Sequence, residues 1–335
     1  MHDPAPNRFG QTRMKARRSL LKGFGGYLPD RIVTNDELAS RLETSDEWIR
    51  ARTGIAQRHR AGPEDTAVSM AAHAGRQALE YANASADDVD AIIVATSTPD
   101  QAFPSTAVRV QAELGITGGF GFDIAAACSG FIFALSTADA LIRSGQARSA
   151  LVIGSEVYSR ILDPDDRSTF VLFGDGAGAV FLQATEESGT QGIVSTHMHS
   201  DGRYGDLLYV DGAIGQSEKS AHLKMQGRDV FRHAVAKLSS SVDEVLAANG
   251  LKYEDVAWLV PHQANLRIID GVARKLQLPP ERVVITVDRH ANTSAASIPL
   301  ALNEAVRDGR IRSGDLVLME ALGGGLTWGS ALARI

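Results

Sequence analysis

Asp123-Ile124-Ala125-Ala126-Ala127-Cys128-Ser129-Gly130-Phe131 sets the plan of the chain. An apolar run ends at Asp123, small residues make a turn, and an apolar helical pattern opens at Cys128-Ser129. That helix leads through Ile142-Arg143-Ser144-Gly145 to a buried-strand pattern over 150–153. Half a chain later the order returns: a strand ending at Asp288, the polar turn Asn292-Thr293-Ser294, a helix, Ile311-Arg312-Ser313-Gly314 and a strand over 316–319. The shared order implies two similar halves meeting at their helix N-termini, with Cys128 and Asn292 in like places.

Outward from this stretch, short runs rich in Val and Ile at 91–95, 171–173, 179–182, 258–260 and 283–287 read as further buried strands. Amphipathic spacing over 68–82, 228–248 and 266–276 predicts helices between them. The class is therefore α/β with mixed sheets. With 335 residues the chain exceeds the roughly 250 to 300 at which single cores stop growing, so one large or two packed domains are expected. No shorter repeat points to a solenoid or propeller.

At 44% hydrophobic and 22% charged residues, the composition is that of a globular protein. A formal charge of −6 argues against a chain built to neutralise nucleic acid or an anionic membrane. The single cysteine excludes an intramolecular disulfide framework and any multi-cysteine zinc site, and it fits a reducing, cytoplasmic setting. The charge-free run at 124–138 is shorter than the roughly 20 residues that span a bilayer, so no transmembrane helix is expected. Residues 1–18 are basic and loop-like and read as a disordered extension, with Met14 a possible native start.

Each candidate residue has two readings. A thiol at a helix N-terminus, as at Cys128, is biased towards thiolate, yet a lone cysteine is also a common buried structural residue. His262 follows Trp258-Leu259-Val260-Pro261 at a strand end, where α/β sites form, or it caps and packs. Asn292 could act in a site or cap its helix. Gly323-Gly324-Gly325 permits the close backbone approach of an oxyanion hole, or a plain tight turn. His2, His59, His73, His222 and His233 are expected at the surface. His197 and His199 share one strand face but lack further ligands at a familiar metal spacing, so no metal site is expected.

Taken together, the motifs resemble β-ketoacyl-[acyl-carrier-protein] synthase III, a condensing enzyme of the thiolase-like superfamily. They are Thr44 to Trp48, Arg52-Thr53-Gly54-Ile55, Asp123 to Phe131, Phe173 to Ala179, Pro261-His262-Gln263-Ala264-Asn265, Asn292 to Ser297 and Gly323 to Gly329. The resemblance implies a five-layer αβαβα sandwich of two halves, 19–188 carrying the nucleophile and 189–335 carrying histidine and asparagine. It implies a Cys128, His262, Asn292 triad and an oxyanion hole from the N–H groups of Cys128 and Gly324. The implied reaction loads an acyl-coenzyme A primer, commonly acetyl, on Cys128 and condenses it with malonyl-acyl carrier protein, initiating fatty acid synthesis without a cofactor.

The resemblance further implies coenzyme A contacts at Trp48, Arg52, Arg167 and Asn265, although Trp48 alone could be a core anchor. Phe103 and Leu322 would shape the acyl pocket, Phe103 from the partner of a homodimer. Arg267, Arg274 and Lys275, spaced along one predicted helix, and Arg232 on another would dock the acidic carrier protein. Leu322, Leu326, Ala291 and Arg228 depart from the usual residues and leave primer length open. The alternatives are a related acyl-cysteine synthase or acyltransferase of secondary metabolism, and a non-catalytic partner subunit, which the intact triad disfavours.

Overall fold

The computed structural model describes residues 17–212 and 221–335. Its first sheet opens with β1 (Arg18–Tyr27); a β2 (Arg31–Thr34) and β3 (Gln57–Arg60) hairpin then encloses α1 (Asn35–Ala39) and α2 (Asp46–Thr53). There follow α3 (Ala67–Ala82), β4 (Ala91–Ala95), α4 (Thr106–Glu113), β5 (Phe120–Ile124), α5 (Gly130–Ser144), β6 (Ser149–Glu156), α6 (Arg167–Phe170) and β7 (Gly176–Thr185). The order is β1-β7-β6-β4-β5, parallel across β6-β4-β5 and antiparallel elsewhere.

The second sheet repeats that pattern. Its elements are β8 (Gly192–Ser200), a β9 (Leu208–Val210) and β10 (Leu223–Met225) ribbon, α7 (Gly227–Ala248), β11 (Trp258–Pro261), α8 (Leu266–Lys275), α9 (Val287–His290), α10 (Ser297–Arg307), β12 (Leu316–Gly323) and β13 (Thr327–Arg334). The order β8-β13-β12-β11 has the strand senses of β1-β7-β6-β4. In the place of a fifth strand, Val283 makes a single parallel bridge to Leu259.

Helices α5 and α10 lie between the sheets, α3 and α4 cover the first sheet and α7 covers the second, which gives the five layers. Their contact is a continuous core in which Phe131, Leu135, Ile298 and Leu302 are essentially inaccessible. Each such side chain contributes about 1.5–3 kcal/mol by leaving water. The middle layer is packed backbone to backbone: a Cβ on Gly154 would fall 2.2 Å from the Ala295 carbonyl oxygen.

Four expectations are corrected. The run 171–173 is a turn after α6, buried because its carbonyls serve other elements: Val171 O accepts from Arg58 Nη2 at 2.9 Å and Leu172 O from Asn292 N at 3.0 Å. Only Val283 of 283–287 bridges to a strand, since the Gln263 side-chain oxygen accepts the N–H groups of Thr286 and Val287 and Asp288 lies in α9. Gly145 caps α5 at φ +79°, whereas Ile311-Arg312-Ser313-Gly314 lies in a loop beyond α10, which ends at Arg307. Of the expected extension, residues 1–16, Met14 included, lie outside the described residues. Arg17 instead pairs with Glu186 at 3.1 Å and Arg18 opens β1, which Leu21 and Phe24 anchor in the core.

Candidate active site

The turn after β5 places Cys128. Ala127 takes φ +46° at the start of a 3₁₀ turn (Ala127–Ser129) that runs into α5. In the other half Ser294 takes φ +50° at the start of Ser294–Ala296, which runs into α10. These matched turns make Cys128 the counterpart of Ala295; Asn292 lies three positions earlier, not in the like place expected. Neither α5 nor α10 has a side-chain cap at its N-terminus.

Three buried side chains converge near these turns. Asn292 is held by its backbone to Leu172 and Gly174, and its Oδ1 accepts from Ser294 N at 2.9 Å. That bond leaves the Asn292 amide N–H groups as the free donors. His262, 5% exposed, donates its backbone N–H to Glu320 O at 2.8 Å, and its Nδ1 shares a hydrogen bond with Ser297 Oγ at 2.6 Å. Burial lowers the His262 pKa to about 3, so the ring is neutral at physiological pH. With Ser297 as donor to Nδ1, the Nε2 proton is free to be given.

Cys128 is 4% exposed, and burial pushes its thiol up to about 12 against the opposing effect of the Ser294 hydroxyl. The thiolate bias expected of a helix N-terminus is thus outweighed by loss of water. Among the described residues no hydrogen bond joins Cys128 to His262 or Asn292. Gly323 lies against the Cys128 backbone, since a Cβ there would fall 2.6 Å from Cys128 N, whereas one on Gly324 would fall 2.5 Å from Leu208 O.

A cavity of about 530 Å³ is lined by Trp48, Arg52, Arg267, Asn265, His262, Asn292 and Leu322. Trp48, 36% exposed, marks its mouth, and buried His262, Asn292 and Leu322 mark its depth. The guanidinium groups of Arg52 and Arg167 lie 5.8 and 4.9 Å from the Trp48 ring centroid. Asn265 caps α8 through its side-chain oxygen to Ile268 N at 3.1 Å, which leaves its amide N–H groups to donate to a ligand. Arg228 lines the cavity, Leu326 is fully buried in the second core cluster, and Ala291 holds φ +59°.

The expected basic face is partly neutralised. Arg267 lies over Phe231 at the cavity, and Arg274 is exposed. Lys275 pairs with Asp243 at 3.2 Å, and Arg232 pairs with Asp229 at 2.9 Å. Phe103 is 84% exposed and lies outside the cavity. Of the histidines expected at the surface, His73 is exposed, His59, His222 and His233 are half-buried, and His2 lies outside the described residues. His197 and His199 reach Glu244 at 3.3 and 2.6 Å, and among the described residues no metal-holding cluster is found.

Three residues with no role assigned from sequence belong to this site. Ser297 orients His262. Glu156, raised to about 7 by burial, is held by Thr98 Oγ1 at 2.7 Å and Ser294 Oγ at 3.0 Å. Glu320, raised to about 8 by burial, has both carboxylate oxygens without a hydrogen-bond partner among the described residues. The available signal was an acid at the end of, or just beyond, an otherwise apolar strand run.

Matched halves around two uncapped helices, with cysteine, histidine and asparagine at their junction, define a thiolase-like condensing acyltransferase. Family models described as 3-oxoacyl-[acyl-carrier-protein] synthase III match residues 122–202, and its C-terminal part residues 246–335. β-Ketoacyl-[acyl-carrier-protein] synthase III of Acidiphilium cryptum is 67% identical over 95% of this chain and 99% of its own. The chain belongs to the β-ketoacyl-[acyl-carrier-protein] synthase III family. The crystal structure of the synthase III from Aquifex aeolicus superposes with TM-score 0.90 at 47% identity, covering 95% of this chain and 100% of that one. The priming β-ketosynthase of the R1128 polyketide pathway gives TM-score 0.90 at 36% identity over 97% and 99%. No helix among the described residues is long and apolar enough to cross a membrane.

Proposed function

We propose that the protein loads an acyl group from acyl-coenzyme A, acetyl first among them, onto Cys128 and condenses it with malonyl-acyl carrier protein, initiating fatty acid synthesis. The Cys128 sulfur bonds to the thioester carbonyl carbon, the carbon–sulfur bond to coenzyme A breaks, and coenzyme A leaves as the thiol with the Cys128 proton. Backbone N–H groups of Cys128 and Gly324 hold the oxyanion. Malonyl then loses carbon dioxide, and the released electron pair forms an enolate whose oxygen accepts from His262 Nε2 and the Asn292 amide. The enolate carbon attacks the acyl-cysteine, the carbon–sulfur bond to Cys128 breaks, and the sulfur takes up a proton from solvent, giving 3-oxoacyl-acyl carrier protein and the free thiol.

The observation that carries this reading is the burial of a neutral His262 beside an Asn292 whose oxygen is already occupied, so both present hydrogen-bond donors. A cationic histidine would make a donor too, but it would need an acid beside it, and burial opposes that state. No resident cofactor is required, because the thioester supplies the activated acyl group. Trp48, Arg52, Arg167 and Asn265 take the coenzyme A arm, with adenine between Trp48 and the arginine beside it. Arg267 with Arg274 forms the carrier-protein contact, with Arg232 and Lys275 at its margin. Leu322 shapes the acyl end of the cavity.

A second copy completes the acyl pocket through Phe103. Support comes from the unpaired outer edge of β5 beside an exposed Phe120 and from the exposed Phe103 ring, an apolar edge of the kind a soluble chain covers. The compartment proposed is the cytoplasm, in keeping with a free thiol nucleophile. Halves 19–188 and 189–335 are proposed as the two structural units. Intact-protein mass spectrometry after incubation with mixed short, branched and medium acyl-coenzyme A thioesters, with Cys128→Ser as control, tests the reading. Acetyl on Cys128 is expected; exclusive loading of a longer or branched acyl group would instead favour a specialised synthase, and no adduct would overturn the acyl-enzyme.

A further inference from the structure

A second cavity, of about 170 Å³, shares no lining residue with the first. Its lining brings together Arg31, Arg41 and Arg60, with Glu37 as the single acidic residue, and Phe170. The β2–β3 register sets Arg31 directly opposite Arg60, a like-charge pairing that is unfavourable unless an anion lies between or near them. Glu37 pairs directly with the outer member, meeting Arg31 at 3.0 Å with both side chains well exposed, and reaches Arg60 only through its longer-range charge. Arg41 is exposed and has no ion-pair partner among the described residues.

Arg60 is the unusual member. It is 6% exposed, its Nη2 donates to Phe170 O at 3.1 Å, and its guanidinium carbon lies 4.9 Å from the Phe170 ring centroid. Its buried Nη1 has no hydrogen-bond partner among the described residues. Asp175, the acid whose charge acts most on Arg60, gives its carboxylate oxygens to backbone, accepting from Ala61 N at 2.7 Å and Ser159 N at 2.8 Å. A buried guanidinium with one unpartnered nitrogen, in the wall of a cavity that two further arginines also line, offers the donors that bind tetrahedral oxyanions through charge-assisted hydrogen bonds.

We propose that this cavity is a binding site for a small oxyanion of the phosphate class, gripped by Arg60 and Arg41 with Arg31 at its rim. The site is separate from the one proposed for coenzyme A and does not depend on that reading. It lies at the end of α6 opposite Arg167, so Phe170 connects an occupied site to the helix that carries the Trp48 contact.

Isothermal titration calorimetry of the full chain with inorganic phosphate, in a phosphate-free buffer of low ionic strength, tests this. One equivalent should bind, and Arg60→Gln and Arg41→Ser should each weaken it by about tenfold or more, as expected when a charge-assisted hydrogen bond is lost. Arg282→Ser, an exposed arginine elsewhere, should leave the affinity unchanged. If Arg60→Gln fails to fold, Arg41→Ser against Arg282→Ser decides alone. Absence of phosphate binding, or equal affinity in those two variants, would overturn the proposal. The titration is repeated with saturating coenzyme A: unchanged affinity supports a separate site for free phosphate, whereas displacement would assign the phosphate to the nucleotide's own site and overturn it.

Discussion

Replacing Glu320 by glutamine should remove a large part of the pH dependence of stability. Burial raises this carboxyl from 4.5 to about 8 and nothing bonds to its oxygens. Between those values the folded protein keeps a proton that the unfolded chain has released. Stability therefore falls as pH rises through this window and levels off above about 8. At about 1.4 kcal/mol for each pH unit, the total approaches 5 kcal/mol, and about 2 kcal/mol of it falls between pH 6 and pH 8. Glutamine does not titrate, so the variant should lack that slope. The buried amide adds a constant offset of its own, which is why the slope and not the absolute stability is diagnostic. Glu156, raised to about 7, titrates in the same window but in both proteins, and cancels. Urea unfolding of both proteins at pH 6 and pH 8 measures the difference. Because Glu320 bonds to His262 through its backbone carbonyl, thioester loading should survive in the variant. Parallel pH profiles for the two proteins would refute the reasoning.

His262→Ala and Asn292→Ala should spare acylation of Cys128 while reducing condensation at least about 100-fold, in the range seen when an oxyanion donor is removed; separate assays of thioester loading and carbon dioxide release resolve the two. Ser297→Ala frees His262 Nδ1 and should lower condensation by about 10- to 100-fold with little change in loading, the cost of a buried imidazole losing its tautomer-fixing partner. Arg267→Glu should raise KM for malonyl-acyl carrier protein without altering acetyl exchange, and the difference should shrink as ionic strength rises; an unchanged KM would remove Arg267 from the docking contact.

The halves, the central helices and the residues at their junction could be read from sequence because each leaves a local signature. The strand runs at 91–95 and 316–319 are apolar on both faces, and the turns before α5 and α10 are made of small residues. The run 283–287 has the same composition as a buried strand, yet the N–H groups of Thr286 and Val287 go to one side chain, Gln263, from a distant segment. Backbone sign was equally hidden: nothing in Ala127 or Ser294 announces a positive φ, so the pairing of Cys128 with Ala295 emerged only in three dimensions. Glu156 and Glu320 look like ordinary charges until the fold takes them out of water. The thiolate bias at Cys128 was a one-element argument, and burial by the whole assembly reversed it.

Gly154 has no side chain and no proposed chemical role, yet the Ala295 carbonyl leaves no room for one methyl group beside it. A side chain there would push the Ser294–Ala296 turn outward, and with it the Ser294 amide that orients Asn292 and the hydroxyl beside Cys128. In a mutational screen scored by activity, this glycine would therefore rank with the reacting residues. Its alanine variant would fail by misplacing two functional groups at once, while the thiol, the imidazole and the amide all remained present.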